Sequence, residues 1–551
     1  MTSIKSSDSW QTQWFTPAFL LLVLAVVLLS TWFYLLGEEF TFFRDEWDML
    51  IYRLPTVDSL LASHGGQQVP IISAFFQGGS RLFGLDDYQY FRVSTVLLPG
   101  LCSILLFLIS SPRIGPWFAL LSSFLLLALG ASYEVALWPM VAITFAGAAF
   151  AGLSALLLCT KGDVRYDVGS AGLLVVTVAI SGFGLVFLVG VAAYLLSDRN
   201  SPRRRLWIPA PALILYLAWH FFFQTVGSEP PPELIGYVEF PLAMLNSGIH
   251  GVTGMPLGVD LVLGLMLLVA VFSVLSKGDR VNPLLVSSLF MLVAFLALST
   301  QARGGFNDPG AIRYIFPTVL LLLLVLVALQ PESTRGRYLL GGSLIALCLI
   351  SIPRGIGEYS RGADNLRGQA RILKAELAAA EVGGRESIAP ETPLASTIYS
   401  FPTSYHFFDA VDRYSSSPAL TLSELENSSG HQREAADALL SQAQGVVRRQ
   451  PRDRFLAFLS RPDTSCYRLF SPTREVAPLG PGAQLWVSSS TSGNSVSLRR
   501  FAGAFSSDSV PIPRGAIRVS SKVDRAPGVP WEMLVNANRG EVGICRVAER
   551  R

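Results

Sequence analysis

Charge is what this chain has least of. Asp, Glu, Lys and Arg make up 15% of its 551 residues, against about 25% in soluble globular proteins. Hydrophobic residues make up 51%, and the mean hydropathy is +0.45. For most of the chain that composition excludes a string of soluble domains. The 43 Lys and Arg against 40 Asp and Glu leave no basic tail or acidic block, so no nucleic-acid partner is expected. Cysteines are few: Cys102, Cys159 and Cys348 sit inside apolar runs with no CxxC spacing, which suits packing rather than zinc ligation. No P-loop, HExxH or GxSxG occurs, nor a GxGxxG after a strand, so nucleotide-driven transport and zinc proteolysis lack local support.

Long apolar runs are what the chain has instead. A spanning helix needs roughly 20 mostly apolar residues, and such runs recur from Pro17 to about Ile352. We read about eleven spans, at 17–36, 93–110, 117–131, 138–159, 169–181, 183–197, 206–223, 259–276, 284–299, 312–329 and 338–352. The run 169–197 is either one long helix or two short ones broken at Ser181-Gly182-Phe183-Gly184. Lys and Arg accumulate in short cytoplasmic loops. With the N-terminus inside and 169–197 crossing twice, Arg113, Lys161/Arg165, Arg199/Arg203/Arg204/Arg205, Lys277/Arg280 and Arg335/Arg337 all face the cytoplasm. The segments 37–92, 224–258 and 300–311, and everything after about 353, are then outside. The first run continues into Trp32-Phe33-Tyr34 without a small-residue cleavage site, so it reads as a retained helix rather than a secretory signal.

After Pro353 the pattern becomes mixed and no run is long enough to span. The expected architecture is therefore an α-helical polytopic membrane domain over 1–352 and an extracytoplasmic α+β domain over 353–551, the chain lying in the plasma membrane as a multi-pass protein. Helices are expected at 365–380 and 431–449. Short segments at 483–487, 495–500, 516–519 and 531–535 between turn residues suggest a small β-sandwich. An outside location would permit a disulfide between Cys466 and Cys545; two separate buried thiols are the alternative.

The segment Glu38-Glu39-Phe40-Thr41-Phe42-Phe43-Arg44-Asp45-Glu46-Trp47-Asp48 follows the first span. Acids beside hydrocarbon are costly unless hydrated or paired. On a helical turn, Asp45 and Asp48 share a face and could ligate a divalent cation such as Mg or Mn, or take a proton from an acceptor hydroxyl. Glu46 would point elsewhere unless the backbone is irregular. The plainer alternative is that these acids solvate a helix end and pair with Arg44 and Arg53. Next come His64-Gly65-Gly66-Gln67 and an amphipathic run, 71–83, too short to span and suited to the interface. A lone His in such a loop is more often structural than catalytic. Arg303, in the preceding outside segment, and Arg313-Tyr314 stand at the start of the tenth span; a guanidinium beside a helix start suits a phosphate, the alternative being interfacial anchors that snorkel to water. His250 and Glu239 are weaker additions.

These motifs resemble the GT-C superfamily of integral-membrane glycosyltransferases. They look closer still to a group of actinobacterial polytopic proteins that read roughly R-D-E-W-D-F-L, then P-H-N-E-H or H-N-G-H before a Val/Pro-rich helix, then L-F-G-L-x-x-Y. Here the corresponding stretches are Arg44-Asp45-Glu46-Trp47-Asp48-Met49-Leu50, His64-Gly65-Gly66-Gln67 and Leu82-Phe83-Gly84-Leu85-Asp86-Asp87-Tyr88, with echoes at Leu137-Trp138-Pro139, Ser181-Gly182-Phe183-Gly184 and Arg313-Tyr314. Gly65 and Gln67 stand where relatives carry Asn and a second His. The resemblance implies an inverting transferase that moves a sugar from a polyprenyl-phosphate donor to a cell-envelope glycan or lipid acceptor on the outer membrane face. In that scheme Asp45 is the base and Glu46 or Asp48 helps place metal or acceptor. Arg44, His64, Gln67, Arg303, Arg313 and Tyr314 contact substrate. A transporter or flippase of an envelope precursor is the competing class, and a membrane-anchored envelope scaffold a third.

Overall fold

The computed structural model describes residues 16–198, 201–224, 233, 235–255, 264, 282–303, 308–329, 334–394, 402–444, 446–450, 452–460, 464–505, 509–522, 524–526 and 528–547. The described chain is mainly helical with a β-rich C-terminal part. It divides into two compact units. One comprises Met1–Glu38, Arg53–Gly79 and Gln89–Leu366; the other comprises Glu39–Tyr52, Ser80–Tyr88 and Arg367–Arg551.

In the first unit, five helices among the described residues are long and apolar enough to cross a membrane: Pro17–Leu36, Gln89–Ile114, Pro139–Cys159, Arg203–Phe223 and Pro283–Ala302. The pair Pro116–Leu127 and Gly130–Leu137 makes a sixth if its 45° bend is counted as one span. Gly184–Ser197 and Ile312–Ala328 are apolar but shorter, as hydrophobic runs broken by Gly, Ser and Pro tend to be. Apart from residue 264, the expected span 259–276 lies outside the described residues. The first helix starts as its sequence dictates: Thr16 accepts a hydrogen bond from the Phe19 N–H at 3.2 Å, and Pro17 occupies the first position, where no donor is needed.

The run 169–197 is two helices, Val164–Ile180 and Gly184–Ser197. Ser181 between them is extended, at φ −164° and ψ 167°. Gly184 comes so close to the preceding helix that a Cβ there would lie 2.2 Å from the Thr177 carbonyl oxygen, so only glycine allows the chain to turn so tightly. The Ser181 hydroxyl donates to the Thr144 carbonyl at 2.9 Å. That carbonyl belongs to a π-helical stretch, Ala142–Gly147, inside the span Pro139–Cys159. Arg205, read from sequence as a loop cation, is buried; it pairs with Asp167 at 2.6 Å and donates to the Cys159 carbonyl at 2.6 Å. A buried charge needs such partners, and this one serves packing.

The helix Thr334–Gly383 runs without interruption through Pro353, where the composition changes. Beyond it, in the second unit, Gly430–Gln444 is helical, but the expected continuation to residue 449 is instead strand β1 (Val447–Gln450). Its register against the strand Gly515–Ser520 takes these residues into a ladder, and tertiary pairing overrides helix propensity there. The strands β2 (Thr464–Phe470), β3 (Thr473–Leu479), β4 (Gln484–Ser489), β5 (Ser495–Arg499), β6 (Val510–Pro511), β7 (Gly515–Ser520), β8 (Trp531–Ala537) and β9 (Glu541–Val547) form two antiparallel sheets, ordered β1-β7-β4-β9-β2 and β3-β8-β5-β6. Burial alternates residue by residue along β8, the mark of a strand with one face inward. On the other face of β4, Trp486 is covered by Phe458 of the helix Arg452–Leu459, with ring centroids 4.8 Å apart. Cys466 and Cys545 face each other on β2 and β9 and are joined by a disulfide.

Glu376, on the long helix within the second unit, is buried, and no hydrogen-bond partner is found for its Oε2 among the described residues. Burial pushes its pKa up from 4.5 to about 7. A carboxyl raised in the fold binds its proton more tightly there than in the unfolded chain. Stability therefore falls as pH rises from about 4.5 to about 7, by about 3 kcal/mol in all, and stays lowered above that. E376Q is expected to remove this dependence. It should raise the melting temperature of the full-length protein at pH 8 while leaving it little changed at pH 4.5; an unaltered difference between the two pH values would refute the assignment.

Candidate functional site

From Glu39 onward the acidic segment belongs to the second unit and is built on aromatic packing. Phe40, Phe42, Phe43 and Trp47 are all buried. The Trp47 indole N–H donates to the Phe42 carbonyl at 3.1 Å, and its ring lies edge-on to Phe42 and to Phe407 of the helix Ser404–Tyr414. These contacts set a short helix, Asp45–Ile51. Before it stands Arg44 at φ 40° and ψ −116°, a backbone conformation costly for any residue with a side chain. Strain of this kind persists only where surrounding packing enforces it, and it concentrates at functional sites.

On that helix the acids divide by environment. Glu46 is completely buried; its carboxylate accepts from the Phe43 N–H at 2.9 Å and from the Tyr88 hydroxyl at 2.9 and 3.1 Å. Asp45 and Asp48 are only partly covered, and a carboxylate oxygen of each lies within 4.8 Å of the other. The three-residue spacing thus brings them together, as a helical turn requires. Two adjacent, water-accessible carboxylates form an oxygen donor set of the kind that holds Mg²⁺ or Mn²⁺ with the remaining positions open to water and phosphate. The helix end is tied down as well: the Leu50 carbonyl accepts from Arg413 at 3.0 Å and from the Tyr414 hydroxyl at 3.3 Å. Glu39, just upstream, accepts from Arg371, whose hydrogen bond holds its carboxyl below the usual range against the opposing effect of burial; Arg367 and Lys374 add to the lowering.

The other sequence candidates lie in the first unit. His64 and Gln67 exchange backbone hydrogen bonds of 2.9 and 3.0 Å across a tight turn, with Gly65 and Gly66 at positive φ. The buried Gln68 side chain donates to the Val178 carbonyl at 2.7 Å, tying this turn to the helix that ends at Ile180. The Arg53 guanidinium lies 2.8 to 3.4 Å from the carbonyls of Ser59, Leu60 and Ala62. Tyr314 is buried in an aromatic cluster with Phe145 and Phe240, and the Arg313 guanidinium lies 6.0 Å from the Tyr314 ring centre. Arg303 ends the helix Pro283–Arg303; its side chain and residues 304–307 lie outside the described residues. The His250 Nδ1 lies 2.9 Å from the Met255 carbonyl, and Glu239 sits in the first turn of Gly236–Thr253.

No protein-family model matches this sequence, and no curated protein matches it. Among solved structures the chain is similar to ArnT from Cupriavidus metallidurans in the apo state, with 14% identity over 84% of this chain and 94% of that chain and a TM-score of 0.44.

Sequence reading assigned no role to Tyr88. Its hydroxyl links the Leu82–Tyr88 motif to Glu46, and Gly84, at φ +78°, makes the bend that brings it there: a Cβ on Gly84 would meet Asp86 and Ser416 oxygens at 2.4 and 2.5 Å. The signal was the joint presence of the two motifs, but only the fold shows that one holds the other. Y88F leaves a buried carboxylate short of a donor, a loss of about 1–3 kcal/mol. The expected readout is a lower melting temperature that the double variant Y88F/E46Q does not lower further; additive losses would show that the two side chains act independently.

Proposed function

We propose that this chain is a membrane glycosyltransferase that moves a sugar from a polyprenyl-phosphate donor to a cell-envelope glycan or lipid acceptor outside the plasma membrane. The observation that carries the reading is the Asp45–Asp48 pair: two water-accessible acids within 4.8 Å, on a helix whose buried side is locked by Glu46. The resemblance of the three sequence motifs to GT-C glycosyltransferases supplies the donor class. In the reaction Asp45 takes the proton of an acceptor hydroxyl as that oxygen bonds to the anomeric carbon from the face opposite the phosphate. The bond from anomeric carbon to phosphate oxygen breaks, polyprenyl phosphate departs with the electron pair, and configuration inverts. Glu46, buried and hydrogen-bonded, is a positioning residue. Asp45 and Asp48 would hold a divalent cation, which when bound supplies neutralising charge for the departing phosphate. Arg44, at the head of the same helix, is a further proposed substrate contact.

The Cys466–Cys545 disulfide supports an oxidising, extracytoplasmic setting for the C-terminal domain, and the Lys/Arg distribution supports a cytoplasmic N-terminus. The test is transfer of label from radiolabelled polyprenyl-phosphate sugars by purified protein, with and without chelator. Turnover that D45N abolishes is expected. One observation favours a second reading, a transporter or flippase: the apolar helices break at Ser181–Phe183 and bend by 45° after Leu127, and discontinuous helices are common in carriers. Protein that moves a fluorescent lipid-linked sugar across proteoliposomes yet transfers none would establish that reading.

A further inference from the structure

Beside the acidic pair, the second unit carries a partly exposed aromatic patch that the proposed chemistry does not use. Tyr52 stands one helical turn after Asp48, feels its charge, and is 46% exposed. Tyr405, at the start of the helix Ser404–Tyr414, is 57% exposed. His406 stands between them, its ring centre 4.6 Å from that of Tyr52 and 5.4 Å from that of Tyr405, both edge-on. Its Nδ1 lies 2.7 Å from the Thr403 hydroxyl and 3.4 Å from the Tyr52 hydroxyl. The two helices that carry these rings are fastened together by the Arg413 and Tyr414 hydrogen bonds to Leu50 and by the contact of Trp47 with Phe407, so the patch is held rather than draped.

The chemistry of the patch narrows its occupant. Both tyrosines are about half exposed, and hydroxyls and an imidazole nitrogen lie beside their rings; aromatic surface mixed with hydrogen-bonding groups matches a sugar ring, with C–H groups on its faces and hydroxyls at its edge. The Asp48 charge acts on Tyr52 and the Asp409 charge on His406, while Arg413 is engaged by Asp409 at 2.7 Å. A phosphate or an acidic polymer would be repelled. Burial holds the His406 pKa below its ordinary value, partly offset by Asp409, so at neutral pH the imidazole is an uncharged hydrogen-bonding group suited to hydroxyls.

We propose that Tyr52, Tyr405 and His406 form the acceptor subsite for a neutral glycan, which stacks on the tyrosine rings and presents a hydroxyl toward Asp48 and Asp45. The assignment of the hydroxyl's destination rests on the transferase reading; the glycan binding does not. The experiment uses full-length protein in nanodiscs on an array of defined neutral oligosaccharides. Wild type is expected to bind at least one of them. Y52A/Y405A and H406A should bind it about ten-fold or more weakly, Y405W should retain binding, and F470A, which removes an exposed aromatic of strand β2 (64% exposed), should not alter it. Melting temperatures separate lost binding from lost folding. Absence of binding to every glycan, or binding indifferent to the tyrosines, overturns the proposal. Equal binding of all variants to empty lipid nanodiscs but not to glycans would assign the rings to the membrane surface instead, and also overturns it. If glycan binding needs the tyrosines and no donor is ever turned over, the transferase reading fails and the subsite stands. Where transfer is measurable, the variants should raise the acceptor KM about ten-fold with kcat nearly unchanged.

Discussion

D45N is expected to lose about 10²- to 10⁴-fold in sugar-transfer rate, the range supplied by a positioned general base, while keeping the melting temperature of the native protein. The separation of effects follows from burial. Asp45 is partly exposed on a helix whose inner side is fixed by Glu46, Trp47 and Leu50, so removing its charge leaves those contacts in place. Glu46 gives the opposite pattern: E46A vacates a sealed site, strands the Phe43 N–H and the Tyr88 hydroxyl, and should lower stability and activity together. If Asp48 is the cation partner, D48N raises the metal concentration needed for half-maximal rate, whereas D45N lowers the rate at saturating metal. A folded D45N protein with native turnover would dispose of the base assignment.

R500A is expected to destabilise the C-terminal domain by about 3–5 kcal/mol, enough to threaten folding of a unit of ordinary marginal stability. Arg500 and Asp524 are buried, at 3% and 2% side-chain exposure. The guanidinium also donates to the carbonyls of Val529 and Ala526 and lies over the Trp531 ring. Asp437, from the helix Gly430–Gln444, accepts the backbone N–H groups of Arg500, Phe501 and Ala502. Removing the cation strands the Asp524 carboxylate, and an unpaired buried charge costs far more than the pair contributes. The double variant R500M/D524L should recover a large part of the loss. Thermal unfolding of the full-length protein, followed by tryptophan fluorescence, checks both. Equal destabilisation by R500M alone and by the double variant would show that stranded charge is not the cause.

Much of this was readable from residue order, because the governing rules are local. Apolar runs long enough to span, the alternating segments 483–487 and 531–535, and the single-face placement of Asp45 and Asp48 depend on periods of 3.6 and 2 residues that sequence displays directly. The break in 169–197 was left open by hydropathy, since both outcomes are equally apolar; Gly184 against Thr177 decides it sterically. The helix end near 444 was misread because the pairing of β1 with β7 joins residues about 70 apart, and no local window contains that information.

Composition and spacing alone therefore determined that this chain is built largely of apolar helices, that a mixed α and β domain follows them, and that two carboxylates share a helical face. Tertiary structure alone decided that Glu46 is an internal anchor and its neighbours are not. The difference arises from Tyr88, which reaches that carboxylate from a separate segment to join the local Phe43 N–H, and from the packing that excludes water from it. It also decided that Tyr52 meets His406, 354 positions along the chain. Packing of distant segments sets which identical carboxyl groups are desolvated and which rings adjoin, and neither quantity exists until the chain has folded.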